Sequence, residues 1–253
     1  MYHPQTYWND VARRISLRNN EKVLGGDDAP FYRYQRKQFL KILDKIDWKG
    51  RSVLEVGSGP GGNLSFLYGK SCSRLEGVDI SEEMIALSRH HLHDKNIHVS
   101  KINGTLLPFE TGSFQVVFTS TVLQHNTNEA SLHLLIKEIC RVAAEEVIIF
   151  ERIEKKITGH DSNVGRPVDY YAGMFSENGF SLLHTSFLNV QASYFTGGVI
   201  RKIFNNRARR EGEPVSWLSF KLEKAAMFFT RFLDPLIPLR RGVAMLQFRK
   251  KQA

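Results

Sequence analysis

A short apolar segment that ends in a cluster of glycines is the feature that most constrains this chain. Val53-Leu54-Glu55-Val56 is followed directly by Gly57-Ser58-Gly59-Pro60-Gly61-Gly62. Glycines permit a tight turn and a close approach of the backbone to a ligand. The free N–H groups at the start of a helix favour a polar or anionic group. The pattern therefore predicts a strand, a glycine turn and a helix, with a ligand site at the turn.

A carboxylate at the end of the next apolar segment completes the predicted site. Asp79 ends Leu75-Glu76-Gly77-Val78, and at the tip of a neighbouring parallel strand it can accept hydrogen bonds from both hydroxyls of a ribose. The glycines also fit the dinucleotide fingerprint G-x-G-x-x-G, which is weak evidence alone. Glu55 favours S-adenosylmethionine (SAM) over NAD, because a carboxylate there suits the amino group of methionine and would repel a pyrophosphate.

From residue 52 onward, short apolar segments alternate with helical patterns. Strands are predicted at 52–56, 74–80, 97–103, 114–120, 146–152, 181–190 and 243–249, and helices at 62–68, 82–93, 128–142 and 170–178. Two earlier helices, 6–18 and 31–46, are joined by a turn at 25–30. This alternation predicts an α/β fold with a doubly wound, mostly parallel, seven-stranded Rossmann-like sheet.

The same pattern divides the chain into four segments. They are an N-terminal helical lid (1–48), a SAM-binding core (49–190), a helical cap insertion (191–241) and a final strand with a basic tail (242–253). The insertion carries helical patterns at about 197–209 and 216–233. On the second helix, one face is apolar and further apolar residues lie opposite. Such a helix either packs on both sides or offers one face to a substrate, a partner or a membrane surface.

Several motifs resemble those of class I SAM-dependent methyltransferases. Residues 55–61 resemble the motif E/D-x-G-x-G-x-G, and residues 107–117 look like the LPF-x-x-x-SFD-x-V segment of the branch that includes ubiquinone and menaquinone methyltransferases. Residues 122–125 and 138–142 are similar to the V-L-H-H and E-x-x-R-V-L elements that follow. The order and spacing of these motifs over roughly residues 50–190 are more specific than any one of them.

The resemblance implies SAM as the cofactor and a set of residues that hold it. The glycines would pass the methionine moiety, Asp79 would hold the ribose, and Ile80 and Asn103 would face the adenine. Either Tyr32 or Arg33 would contact the SAM carboxylate or the acceptor, unless both only pack the N-terminal helix on the sheet. The predicted cofactor-binding set is Glu55, Gly57, Gly59, Gly61, Asp79, Ile80, Asn103, Ser120, Tyr32 and Arg33.

Methyl transfer requires the acceptor atom to be aligned with the methyl group of SAM. A hydroxyl acceptor also requires a base that removes its proton. His125, after the fourth strand, is the leading candidate base, because its ordinary pKa suits proton removal near neutral pH; the alternative is a histidine that only packs at the next helix. Glu151, at the end of the fifth strand, either faces the acceptor or is a solvated strand end. His160 lies in an irregular loop that forms either a substrate lid or ordinary polar surface.

The formal net charge is +9, with the excess concentrated after residue 200. Such a surface either only aids solubility or attracts an anionic partner. We therefore expect O-methylation of a small-molecule or glycan acceptor that is anionic. The alternatives are N-methylation of a protein, and SAM binding without turnover. No RNA-binding module is recognisable, so a specific nucleic-acid partner is not predicted.

The cysteine content and the apolar segments bear on the compartment. Two cysteines suggest neither a metal site nor a disulfide framework. The sequence shows no secretory signal and no run near the ~18 apolar residues of a membrane span. The expectation is a cytoplasmic protein without a metal, with peripheral membrane contact left open.

Overall fold

The computed structural model describes residues 2–18, 29–207, 209–237 and 240–252. Most of the turn predicted at 25–30 lies outside these ranges. Within them, no helix combines the length and the apolarity that crossing a membrane requires.

The strands follow the predicted order along the chain. They are β1 (Ser52–Val56), β2 (Arg74–Asp79), β3 (His98–Lys101), β4 (Phe114–Ser120), β5 (Ala143–Ile153), β6 (Thr158–His160), β7 (Asn163–Gly165), β8 (Phe180–Phe187) and β9 (Gly242–Lys250). Among the described residues, seven strands form one sheet in the order β3-β2-β1-β4-β5-β9-β8. Neighbours pair in parallel except at β9, which is antiparallel to β5 and β8. The predicted doubly wound, mostly parallel sheet is confirmed.

Helices cover both faces of this sheet. They are α1 (Pro4–Ser16), α2 (Pro30–Leu43), α3 (Gly62–Tyr68), α4 (Glu82–His91), α5 (Glu129–Val142), α6 (Val168–Glu177), α7 (Gln191–Phe204) and α8 (Trp217–Leu233). Along β1, Leu54 joins the apolar cluster under α5 and α6, whereas Val53 joins the cluster under α2, α3 and α4. This alternation is that of a strand buried on both faces. The carboxyl ends of β1, β2 and β4 therefore meet at one edge, where the glycine turn lies.

Two elements differ from the sequence prediction. The loop before α6 forms the β6–β7 hairpin, whose strands of three residues are too short to show a pattern. Helix α7 spans Gln191–Phe204, about six residues earlier than the predicted 197–209. Gly197 lies where α7 approaches α2: a Cβ there would make a tight contact of 3.3 Å with Cβ of Phe31.

Of the two alternatives that the sequence left open for α8, the structure does not show packing on both sides. Its apolar face, which includes Leu218, Phe229 and Phe232, is exposed, with 68% of Phe229 accessible. The fully buried residues on the side that packs against α7 and α2 are instead polar: Ser219, Glu223 and Thr230. The role of residues 191–241 as a cap stays a prediction.

Candidate cofactor and acceptor site

The glycine turn after β1 requires the residues that the sequence supplies. Gly57 has φ +76°, and a Cβ at this position would lie 2.2 Å from Cγ2 of Val122. Gly61, at the start of α3, has φ +85°, and a Cβ there would lie 2.6 Å from Oγ of Ser88. Both the left-handed backbone and the lack of space exclude a side chain. The turn thus brings the backbone against the loop that follows β4.

Asp79 is held at the tip of β2 by two backbone N–H groups. Gly59 N donates to its Oδ2 at 2.9 Å, and Ser81 N donates to its Oδ1 at 2.8 Å. Burial raises the pKa of this carboxyl, while the two hydrogen bonds oppose the shift. Each oxygen keeps a second acceptor site. The carboxylate is therefore fixed in orientation and can still accept from a pair of hydroxyls.

Glu55 ends a chain of three polar side chains below the glycine turn. Arg36 Nη1 on α2 donates to Oδ1 of Asn63 at 2.7 Å, and Asn63 Nδ2 donates to Oε1 of Glu55 at 2.8 Å. Oε2 of Glu55 is buried and has no partner among the described residues. Burial raises the pKa of Glu55 to about 8, and Asn63 and Arg36 oppose this rise. A buried oxygen of this kind favours a cationic ligand.

A cavity of about 1190 Å³ runs along this edge of the sheet. The sequence-predicted residues that line it are Tyr32, Glu55, Gly57, Gly59, Asp79, Ile80, Asn103, Ser120 and His125. The N-terminal helix closes one side through Trp8, and α1 rests on α4 by packing Val11 and Ile15 against Met84. Asn103 Oδ1 accepts from Leu106 N at 3.4 Å, so it also caps its own loop.

His125 lies in the 3₁₀ turn Leu123–His125 with a defined proton arrangement. Its Nδ1 lies 2.7 Å from the carbonyl oxygen of Ser162, which only accepts, so Nδ1 carries the proton. Nε2 then holds a lone pair that accepts from Nε2 of Gln124 at 3.3 Å, and a substrate hydroxyl would take the place of this amide donor. Burial lowers the pKa of His125, which keeps the ring neutral near pH 7. The β6–β7 turn, predicted as an irregular loop, thus orients the ring.

Glu151 has a structural role that the sequence did not indicate. It is fully buried and does not line the cavity. Oε1 accepts from the N–H groups of Val122 and Leu123, each at 3.0 Å, and Oε2 accepts from Gln124 N at 2.9 Å. These bonds hold the turn that carries His125, and they leave neither oxygen pointing at an acceptor. The structure therefore corrects the prediction that Glu151 acts in the chemistry.

Two other predicted residues lie away from the cavity. His160 is exposed at the end of β6 and pairs in register with Asn163. Arg33 lies with its guanidinium 5.7 Å from the ring centre of Phe220 and lines a separate, smaller cavity. Helical geometry explains why Arg33 lies away from the cavity. Helix α2 directs Tyr32 and Arg36, four residues apart, to the same face, and Arg33 is not on that face. Gly61 shapes the turn without lining the cavity itself.

Sequence reasoning missed Arg36 and Arg166. Arg36 could have been found from its i, i+4 spacing to Tyr32. Arg166 is fully buried; it donates to the carbonyl oxygens of Leu123 and Asn126 at 3.1 and 3.0 Å. Together with Glu151, it clamps both the N–H and the carbonyl groups of the 3₁₀ turn. No local signal marks Arg166, because its partners lie some forty residues away in the chain.

Comparison with known proteins agrees with this geometry. Residues 53–146 match the family model described as a methyltransferase domain. Over these residues the chain is similar to a methyltransferase domain, and the fold is that of class I SAM-dependent methyltransferases. The magnesium protoporphyrin IX methyltransferase from Synechocystis, solved with bound SAH, has the same fold, with a TM-score of 0.59 at 15% identity over 98% of both chains.

The chain also matches parts of curated proteins that are longer than itself. A tRNA U34 carboxymethyltransferase from Pseudoalteromonas translucida is 30% identical over 53% of this chain and 41% of its own length. Phosphoethanolamine N-methyltransferase 2 from Caenorhabditis elegans is 23% identical over 71% of this chain and 43% of its own. The chain thus spans less than half the length of these two relatives. Neither relative is named for ubiquinone or menaquinone biosynthesis, so the resemblance to that branch stays a prediction.

The polar groups of the site fit SAM. The unpaired Oε2 of Glu55 suits the ammonium group of the methionine moiety, and Arg36, with five N–H donors, suits the neighbouring carboxylate. Asp79 would hold the ribose hydroxyls, with Ile80 and Asn103 beside the adenine. The donor and acceptor types match the ligand at both ends, so the residues present can hold SAM.

Proposed function

We propose that this methyltransferase methylates a hydroxyl group of an anionic small molecule or glycan. The observation that carries the proposal is the fixed orientation of His125 in the wall of the cavity. Ser162 holds its Nδ1–H, so the lone pair of Nε2 is the group that can accept a proton. A neutral, oriented imidazole is the usual general base for a hydroxyl.

The protein contributes alignment and proton removal to the reaction. SAM supplies an electrophilic methyl group on a sulfonium. Nε2 of His125 would accept the proton of the acceptor hydroxyl while its oxygen takes the methyl group and the electron pair of the broken S–C bond stays on the sulfur. Glu151 and Arg166 bind the turn of His125 from both sides. The ring is therefore already oriented before the acceptor binds.

Positive side chains near the cavity support an anionic acceptor. Arg209 and Arg241 line the cavity and belong to the segment around α7 and α8. Phosphoethanolamine and tRNA, which the names of the two relatives contain, both carry phosphate. The resemblance of residues 107–117 to ubiquinone and menaquinone methyltransferases supports a small molecule as the acceptor.

RNA is the second candidate acceptor, since one relative is named for tRNA. A single experiment separates the candidates: the purified protein is incubated with methyl-labelled SAM and a fractionated lysate of its own organism. We expect label in the small-molecule or glycan fraction, and no label with His125→Gln. Label in RNA or in protein would contradict the proposal, as would SAM binding without label in any fraction.

A further inference from the structure

The helices α7 and α8 form an antiparallel hairpin whose inner stripe is polar. On α8, the residues buried against the rest of the protein are Ser219, Glu223, Thr230 and, just after the helix, Asp234. A helix that packs on a core normally buries its apolar stripe. This hairpin has the opposite arrangement, and none of its fully buried residues belongs to the apolar clusters of the core.

Polar contacts hold the hairpin together and seat it on α2. Ser193 Oγ donates to Oδ2 of Asp234 at 2.6 Å, and Arg201 Nη1 lies 2.8 Å from Oε1 of Glu223. The other oxygen of Glu223 accepts from the backbone N–H of Phe31, at the start of α2. These buried contacts fix which side of each helix faces inward, and so they fix the outward side as well.

The outward side is apolar along the length of both helices. We call it the hairpin apolar face; its members are Phe195, Val199, Ile203, Leu218, Ala225, Phe228, Phe229, Phe232 and Leu236. On α7 three of these recur every fourth residue, as one face of a helix requires. Each of them except Ala225 is a large side chain with at least 44% of its surface exposed. A face of this size marks an interaction surface.

The charges around the hairpin apolar face are of one sign. Among the described residues of 191–241, the exposed charged side chains are all cationic: Lys202, Arg207, Arg210, Lys221, Lys224, Arg231, Arg240 and Arg241. The acidic residues of this segment are buried or half-buried. The Arg231 guanidinium lies 4.9 Å from the ring centres of both Phe228 and Phe232, so the cation borders the rings directly.

We propose that the hairpin apolar face docks on the surface of a membrane that contains anionic lipid. Aromatic side chains on one face with lysine and arginine beside them are the composition of a helix that lies in the interface plane. Anionic headgroups complement the exposed cations, and the polar inner stripe leaves the protein core intact while the outer rings enter the acyl boundary.

Docking in this orientation brings the cavity to the membrane. Phe195 is exposed on α7 and also lines the cavity, as does Tyr194 beside it. The entrance of the cavity therefore lies next to the lipid surface. If the proposed methyl transfer holds, the acceptor is an amphiphile whose polar part enters from the membrane; the docking itself does not depend on that activity.

Flotation with lipid vesicles tests the docking. The full chain is mixed with vesicles of phosphatidylcholine alone or of phosphatidylcholine with phosphatidylglycerol. We expect binding to the anionic vesicles that weakens with added salt. Phe229→Glu/Phe232→Glu should reduce this binding by at least about tenfold. The control Leu134→Glu/Leu183→Glu adds the same charge at exposed leucines outside the hairpin and should bind like the wild type.

SAM binding and circular dichroism show whether each variant is folded. Equal binding of the wild type and Phe229→Glu/Phe232→Glu to anionic vesicles would overturn the proposal. So would a wild type that ignores vesicles and instead forms a dimer that the same two substitutions abolish, because the occupant would then be a second copy. A wild type that binds the anionic vesicles but transfers no methyl group would contradict only the proposed function.

Discussion

Replacement of Glu55 by glutamine should stabilise the protein and weaken its hold on SAM. Burial raises the pKa of Glu55 from 4.5 to about 8. At pH 7 the folded state therefore keeps Glu55 mostly protonated, whereas the unfolded chain has it ionised, and this makes the folded state about 3 kcal/mol less stable than if the pKa were the ordinary one. Glutamine keeps the acceptor oxygen for Asn63 and has no charge to desolvate. The unliganded variant should gain up to this amount.

The stability of the wild type relative to Glu55→Gln should change with pH in a defined direction. Between pH 4.5 and about 8, the folded state binds more protons at Glu55 than the unfolded chain does. The wild type therefore loses stability as the pH rises through this window, and the glutamine variant does not lose this part. The gain should be near zero at pH 4.5 and largest near pH 8. Urea denaturation of both proteins without SAM, at several pH values, measures it.

Glu110→Gln, at an exposed carboxyl, is the matched control and should change stability by less than about 0.5 kcal/mol. Calorimetry should show weaker SAM binding by Glu55→Gln, because an amide cannot pair with the ammonium group. A variant that is less stable than the wild type, or whose gain is the same at every pH, would refute the reasoning about the buried carboxylate.

Three further substitutions test the rest of the site. Arg36→Ala should weaken SAM and SAH binding by about tenfold or more in calorimetry; unchanged affinity would remove Arg36 from the site. His125→Gln should lower turnover by about 10²–10⁴-fold at unchanged SAM affinity. Because the pKa of His125 is lowered, the turnover of the wild type at saturating SAM should fall only below pH 6.5. Turnover that is equal in both proteins would exclude this base. Glu151→Gln should cost about 1–3 kcal/mol in urea denaturation, since an amide N–H would face backbone N–H groups; a variant with wild-type stability but no turnover would restore Glu151 as a catalytic group.

The parts of the site that were predictable depend on local sequence. The glycine turn and Asp79 follow directly from strands whose ends must meet at one edge of a parallel sheet. Glu55 is one residue from the end of β1, so its place near the turn is fixed by the strand itself. His125 is adjacent to β4 for the same reason.

The parts that were not predictable depend on contacts between distant segments. Glu151 ends a strand, which suggested an exposed acid, but the turn after β4 folds back and covers it. Arg36 reaches Asn63 only because α2 packs over the start of α3. For α8, the apolar stripe suggested burial. The buried side instead carries Glu223, which forms an ion pair with Arg201 of α7, a contact between segments that are distant in the sequence.

Calorimetric titration of the purified protein and of Asp79→Ala with SAM and SAH is the measurement that tests the cofactor site most directly. Asp44→Ala, which removes an exposed carboxylate paired with Lys70, serves as the control. We predict that the wild type and the control bind both ligands and that Asp79→Ala binds them about a hundredfold more weakly, from the loss of two hydrogen bonds to a charged acceptor. Unchanged affinity in Asp79→Ala, or tight binding of NADH with none of SAM, would contradict the account.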